Sequence, residues 1–153
     1  MKKRVAEITN VLYGQNSISC EPTKEEIEKA ILEKDFERRS FQGDLNELNA
    51  EWNKEAKNFY EVVKRFHIRK TACLVVEGWD EPILLCKDER TILDGLHRLK
   101  AAIFLKMDTI DVIVTDAPSN LSAVQKDRLW KARADYGNFK EALGRVGIQI
   151  LKE

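Results

Sequence analysis

No run of apolar residues in this 153-residue chain is long enough to span a bilayer. Several motifs that announce familiar chemistries are missing as well. There is no G-x-x-x-x-G-K phosphate loop, no dinucleotide-binding glycine fingerprint, no C-x-x-C, no H-E-x-x-H and no serine nucleophile elbow. Cysteine is scarce: Cys20, Cys73 and Cys86 are odd in number and lack metal-ligand spacing. Cys73 and Cys86 fall in apolar, strand-like runs where a thiol behaves as a small hydrophobe, so a reduced, cytoplasmic setting is expected. Net charge is absent too. With 26 basic and 26 acidic residues, no global field draws the protein to nucleic acid or to an anionic membrane, which leaves only local basic patches. Met-Lys-Lys-Arg opens as a signal peptide does, but Glu7, Thr9 and Asn10 interrupt any apolar region behind it.

What is present predicts an α+β domain. A hydrophobic content of 43% over this length is enough for one globular core. No repeat, low-complexity tract or linker divides the chain, so residues 1–153 read as a single domain. Its core spans about 45–118, preceded by a helical arm (1–43) and followed by a C-terminal helical lobe (119–153). In the arm, Val5, Ile8 and Leu12 recur at helical spacing, although the segment is short enough to be a strand. Thr23 with Glu26 is a capping-box pattern that starts a helix through about Lys34. Arg38 and Arg39 follow in a break that reads as a solvated loop or as a second anion contact. Asp44 and Glu47 repeat the capping logic. Leu45, Leu48, Trp52, Ala56, Phe59, Val63 and Phe66 then form one apolar stripe, with Lys54, Lys57, Asn58, Glu61 and Lys64 opposite. His67 closes this helix, where the helix dipole favours its charge.

From Thr71 the period changes. Residues 72–76, 83–86, 91–93 and 110–114 are short apolar runs separated by Gly78, Pro82 and charged pairs, and they read as strands of a mixed sheet. Lys-Asp-Glu-Arg at 87–90 has the length of a hairpin connection. Between the last two runs, Leu96, Leu99, Ile103 and Met107 align on one face of a helix, and Ala101 and Ala102 permit close packing. After Pro118, Ser119 or Asn120 is placed to cap a helix to about Tyr136. Gly137-Asn138 ends it, and a second helix runs from Phe139 to Val146. Trp130 among Lys126, Arg128, Lys131 and Arg133 makes this the most basic local segment, suited to sheet packing, to self-association or to nucleic acid.

The chain is organised around Thr91-Ile-Leu-Asp-Gly-Leu-His-Arg: an apolar strand, a glycine turn and a helix start. A helix N-terminus presents backbone N–H groups and partial positive charge. A glycine admits a ligand, and a first-turn arginine offers a planar donor fork, so the natural ligand is a phosphate. His97 is the one group here whose ordinary pKa suits proton transfer near neutrality. Asp94 would orient His97 or Arg98, or hold a magnesium ion together with Asp80 and Glu81. Against these stand ordinary roles: a salt bridge between Arg98 and Asp94, and acidic residues acting as turn formers.

Asp94-Gly95-Leu96-His97-Arg98, followed by a small-residue helix and a strand at Ile110 to Val114, resembles the N-terminal domain of the ParB and sulfiredoxin-like superfamily. The resemblance is clearest from about Asn53 to Val114, and Gly78-Trp79-Asp80-Glu81-Pro82-Ile83 matches the acid-Pro-Ile step these relatives place before the preceding strand. It implies a mixed sheet with packed helices and a C-terminal helical extension. It also implies a G-x-x-R turn, here Gly95 to Arg98 with Leu96 and His97 between, that holds the phosphates of a nucleotide such as ATP or CTP with Mg2+. Leu96 stands where sulfiredoxins carry their reactive cysteine, so sulfinic-acid repair is not expected. A chain ending at Glu153 also leaves no room for the helix-turn-helix and dimerisation domains of partitioning proteins. Two function classes remain open. One is a nucleotide-binding domain with phosphotransferase, nucleotide-hydrolase or nuclease activity, carried by His97 and Asp94. The other is a non-catalytic module of phage or mobile-element type that engages DNA, a protein or a second copy of itself.

Overall fold

The computed structural model describes residues 1–11, 22–36, 59–136 and 139–153. The chain divides into two compact units, one made of residues 1–14 and 80–153 and the other of residues 15–79.

In the smaller unit, helix α1 (Lys24–Leu32) begins where the capping pattern places it. Glu26 N–H donates to Thr23 Oγ1 at 3.1 Å and Thr23 N–H donates to Glu26 Oε1 at 3.0 Å, which satisfies two backbone donors at the helix start. Its Ile27 and Ala30 are buried, and it packs on α2 (Phe59–Glu77). Lys64, expected on a solvated face, reaches Glu26 at 3.0 Å, while Arg69 pairs with Asp35 at 3.3 Å.

Helix α2 overturns two expectations. Residues 72–76 are not a strand but the last turns of this helix, with Ala72 and Cys73 buried. A short apolar run does not distinguish a buried strand from a buried helix. Nothing between Phe66 and Glu77 breaks the helix; it ends at Gly78, whose left-handed φ of +76° and N–H bond to Leu74 O close the final turn. His67 therefore lies in mid-helix rather than at a C-terminus. Burial, with the charge of Lys70, lowers its pKa to about 4, so the ring is held neutral instead of stabilised as a cation. Cys20, Arg38, Arg39, Asp44, Glu47 and the stripe residues Leu45, Leu48, Trp52 and Ala56 lie outside the described residues, as do Lys54, Lys57 and Asn58.

The larger unit is built on a six-stranded mixed sheet, which makes the protein α+β. Its strands are β1 (Lys2–Arg4), β2 (Asn10–Val11), β3 (Ile83–Leu85), β4 (Thr91–Asp94), β5 (Thr109–Thr115) and β6 (Ile150–Lys152). The order is β1-β5-β3-β4-β2, with β6 added on β5. The β3–β5 and β2–β4 pairs are parallel and the others antiparallel. Residues 2–11, expected to be part of a helical arm, are thus two edge strands flanking a 3-10 turn at Val5–Glu7. Short polar strands such as Lys2-Lys3-Arg4 exist because a partner strand offers pairing, not because their own pattern demands it.

Ile83–Leu85 of β3, Ile92 and Leu93 of β4 and Val112, Ile113 and Val114 of β5 are apolar on successive positions because both faces of the sheet are covered there. Leu84, Cys86, Leu93 and Ile113 point into one cluster with Leu129 and Ala132 of α4 (Ala123–Tyr136) and with Phe139, Ala142 and Leu143 of α5 (Phe139–Arg145). Their neighbours Ile83, Leu85, Ile92, Val112 and Val114 are also fully buried and lie outside that cluster. Helix α3 (Leu96–Phe104) packs against β3 and the 3-10 turn. It is shorter than the expected span to Met107, because Lys106 takes a left-handed φ of +55° and Met107 N–H bonds back to Ala102 O. Helix α4 starts later than expected: Ser122 and Gln125, rather than Ser119 or Asn120, form its reciprocal cap at 3.2 and 3.0 Å. The C-terminal lobe also returns to the sheet as β6, a strand the polar tail did not announce.

Candidate functional site

The turn between β4 and α3 brings the chemistry-bearing residues together. Gly95 is the N-cap of α3 at φ +115°, a conformation L side chains rarely adopt. A Cβ there would also meet Ile83 Cγ1 at 3.0 Å and Arg98 Nε at 3.3 Å. Glycine therefore serves two ends here: it turns the chain and leaves the Nε side of Arg98 uncovered. Gly95, having no side chain, supplies no side-chain cap to α3. Leu96 is its first residue, His97 sits half-buried on its first turn, and Arg98 is buried.

Arg98 is fixed by its own chain. Its Nη1 donates to the carbonyls of Glu81 at 3.0 Å and Pro82 at 2.8 Å, and its Nη2 donates to Asp94 Oδ2 at 2.8 Å. Of the five N–H donors of a guanidinium, these bonds occupy three. The remaining two, on Nε and Nη2, meet no acceptor among the described residues. The salt bridge to Asp94 weighed from the sequence is thus formed, and the acid-Pro-Ile step contributes backbone carbonyls that aim the guanidinium.

Asp94 carries a second partner. Arg133 Nη1 of α4 donates to Asp94 Oδ1 at 2.7 Å. The side chains of Asp94, Arg98 and Arg133 are only 10–16% exposed, so the three form a largely buried ion cluster drawn from β4, α3 and α4. Arg133 lies over the Phe139 ring at 5.2 Å, which stacks the cation against the α4–α5 pair. Sequence reading placed Arg133 in a basic segment but not at this turn. Its partner lies 39 residues away, and the pairing depends on how α4 packs, with Leu129 and Ala132 buried, which no local sequence signal encodes.

The other expected roles are distributed differently. Among the described residues Asp94 pairs with the two arginines and not with His97, so this carboxylate orients Arg98 and not the imidazole. Glu81 approaches Arg98 Nη1 at 3.6 Å with a side chain 72% exposed, and Asp80 is exposed. Asp94, Asp80 and Glu81 do not gather into a carboxylate site, and no group of three or more His, Cys, Asp or Glu among the described residues is arranged to hold a metal ion. With both oxygens of Asp94 facing guanidinium groups, the residues present do not fit a protein-held Mg2+.

Cys86, at the end of β3, is buried; burial and the charge of Asp88 push its thiol up to about 12, well away from a reactive thiolate. Trp130 lies on α4, but its side chain is outside the described set, and Lys131 on the same helix pairs with Asp127 at 2.8 Å. Among the described residues no helix is long and apolar enough to cross a membrane. No protein-family model matches the sequence, and no curated protein or solved structure matches it.

Proposed function

We infer that the protein binds a nucleotide through its phosphates at the β4–Gly95–α3 turn, in the manner that the resemblance to the ParB and sulfiredoxin-like superfamily implies. A nucleoside triphosphate such as ATP or CTP is the ligand class. One observation carries this reading: Arg98 is oriented by three bonds to its own chain while its Nε–H and one Nη2–H, beside Gly95, have no acceptor among the described residues. Those two donors, Nε–H above all, are open to the oxygens of a phosphate. The start of α3, whose N-cap is a glycine, adds the helix dipole to the same place. Magnesium, in this reading, arrives with the triphosphate rather than being held by Asp80, Glu81 and Asp94.

Binding is favoured over proton-transfer chemistry because both oxygens of Asp94 are committed to arginines, so this carboxylate serves the anion-binding Arg98 rather than an acid-base pair with His97. His97→Asn should therefore weaken nucleotide affinity by about 0.5–1.5 kcal/mol, the strength of one hydrogen bond. In an enzyme, the same change would remove turnover by about 10²–10⁴-fold. Isothermal titration with ATP, CTP, GTP and UTP, with and without Mg2+, tests the reading. Arg98→Ala should lose about 1.5–3 kcal/mol of affinity. Equal affinity in wild type and variant, or no binding of any triphosphate, would overturn it. Capture of a DNA or protein partner with Arg98 dispensable would favour the interaction module instead.

A further inference from the structure

Asp94 is four residues before Arg98 and within 2.8 Å of it, with a carboxylate that has two oxygens to offer. A carboxylate and a guanidinium at this range ordinarily close on each other bidentately, through two parallel N–H···O bonds. Here the pairing is single. The Nη1 edge of Arg98 is already taken by the Glu81 and Pro82 carbonyls, so the fork left for a bidentate carboxylate is the Nε/Nη2 edge. Asp94 bonds Nη2 and not Nε. Its other oxygen, Oδ1, is held by Arg133 Nη1 at 2.7 Å. Arg133 in turn is braced by the Phe139 ring and is 16% exposed in its side chain.

We propose that Arg133 is a positioning residue for the anion site: by holding Asp94 Oδ1, it stops Asp94 from closing on the Nε/Nη2 fork of Arg98 and so keeps Nε–H available to a phosphate oxygen. Arg133 touches no ligand in this account; it acts through Asp94. The geometry explains why a buried turn carries two arginines for one carboxylate. It also explains why the second arginine comes from a helix distant in sequence: α4 sets the state of the carboxylate, and the carboxylate sets the state of the fork. The proposal rests on the phosphate-binding reading for its purpose, but the state of the fork is measurable without a ligand.

The sign of one measurement separates positioning from simple support. If Arg133 only buttresses the fold, removing it loosens the turn and the Arg98 Nε–H exchanges faster with water. If it restrains Asp94, removing it lets Asp94 close on Arg98, and the same proton gains an acceptor and exchanges more slowly. The experiment uses the full chain labelled with 15N and follows the Arg98 Nε–H signal by NMR in wild type, Arg133→Met, Arg133→Lys and Leu143→Ala. Leu143→Ala weakens the same buried cluster without touching Asp94. The expected result is slowing of about tenfold in Arg133→Met, the factor one added charge-assisted hydrogen bond represents. Arg133→Lys, which still presents a cation to Oδ1, should stay near wild type, and Leu143→Ala should show no slowing. Faster exchange in Arg133→Met, or identical behaviour in Arg133→Met and Leu143→Ala, overturns the proposal. If Arg133→Met does not fold, wild type still decides: an Arg98 Nε–H already protected to the same degree as a bonded guanidinium proton contradicts it.

A second arm uses pyrophosphate and ATP as probes. Arg133→Met should bind about tenfold more weakly than wild type, and the double variant Arg133→Met/Asp94→Asn should recover that loss, because a single amide oxygen does not occupy both ends of the fork. A structural role predicts that the second substitution deepens the defect, and that result contradicts the proposal. If wild type binds neither probe, the phosphate-binding reading fails while the exchange measurement still decides what Arg133 does to Asp94.

Discussion

Strand β4 has an aspartate-bearing turn at each end, and the two aspartates do different work. At the entry, Asp88 spends its carboxylate on its neighbours. Oδ1 accepts from the backbone N–H groups of Arg90 and Thr91, both at 2.9 Å, and Oδ2 accepts from Thr91 Oγ1 at 2.6 Å. All partners are within three residues, and Glu89 takes a left-handed φ of +60° to close the hairpin. At the exit, Asp94 makes no such local turn bonds; its oxygens go to Arg98 and Arg133, 4 and 39 residues away. An acidic residue whose bonds are all local builds a turn. One whose bonds come from two helices organises a constellation, and it does so beside a glycine that leaves a donor uncovered.

The comparison breaks first on removal of the two carboxylates. Asp94→Ala leaves two largely buried guanidinium groups without their shared acceptor and should lower unfolding free energy by about 3 kcal/mol or more. Asp88→Ala removes three local turn bonds and should lose about 1 kcal/mol. Chemical denaturation of both variants measures the difference, and equal losses would erase the distinction.

A somewhat smaller effect is expected at the glycine. Gly95→Ala imposes a positive φ on an L side chain and drives a Cβ toward Ile83, so stability should fall by about 1–3 kcal/mol. The same Cβ approaches Arg98 Nε, so nucleotide affinity should fall as well, read by titration at a temperature where the variant is folded. Replacing Gly78, around which there is open space, should strain the backbone without affecting nucleotide affinity.

The acid response of Asp88 gives a finer contrast. Burial opposes its charge, but the bonds from Thr91 and Arg90 outweigh that and hold its pKa below the usual carboxylate value. A lowered folded-state pKa means the stabilisation is fully present above the unfolded value near 4 and is lost as pH falls through the folded value. Because the side chain is exposed, its share should stay under about 1 kcal/mol. The stability gap between wild type and Asp88→Asn, read by denaturation, should therefore be present at about pH 6 and shrink as pH falls through the folded-state value. In the other unit His67 runs in the same direction for the opposite reason. Its pKa is lowered to about 4 by burial and by Lys70, so protonation of the unfolded ring drains stability between about pH 6.5 and 4, by about 1–3 kcal/mol. His67→Gln should remove that slope. The smallest expected signal is at Cys86: its thiol, pushed up to about 12, should resist a thiol reagent under native conditions, and rapid labelling would contradict its place in the core.

What the sequence disclosed follows the same division between local and distant bonds. The capping box at Thr23, the hairpin of β3 and β4 and the turn at Gly95 are written in residues within four positions of each other, and each was legible. The strands β1, β2 and β6 were not, because two- or three-residue strands take their conformation from pairing with β4 or β5 rather than from their own pattern. Residues 72–76 misled because a short apolar run carries no period of its own, although Gly78 marked the true helix end. At the site, Gly95 and Arg98 were evident, while Arg133 depended on a packing of α4 that no local signal encodes.

The most direct test of the account follows backbone amide signals of the 15N-labelled protein by NMR during titration with ATP and CTP in the presence of Mg2+. The account predicts saturable shifts at Gly95, Leu96, His97 and Arg98 that are lost in Arg98→Lys, with Arg90 and Thr91 at the other end of β4 unmoved. Absence of shifts at Gly95 to Arg98 with either nucleotide, or shifts of equal size at both turns, would contradict it.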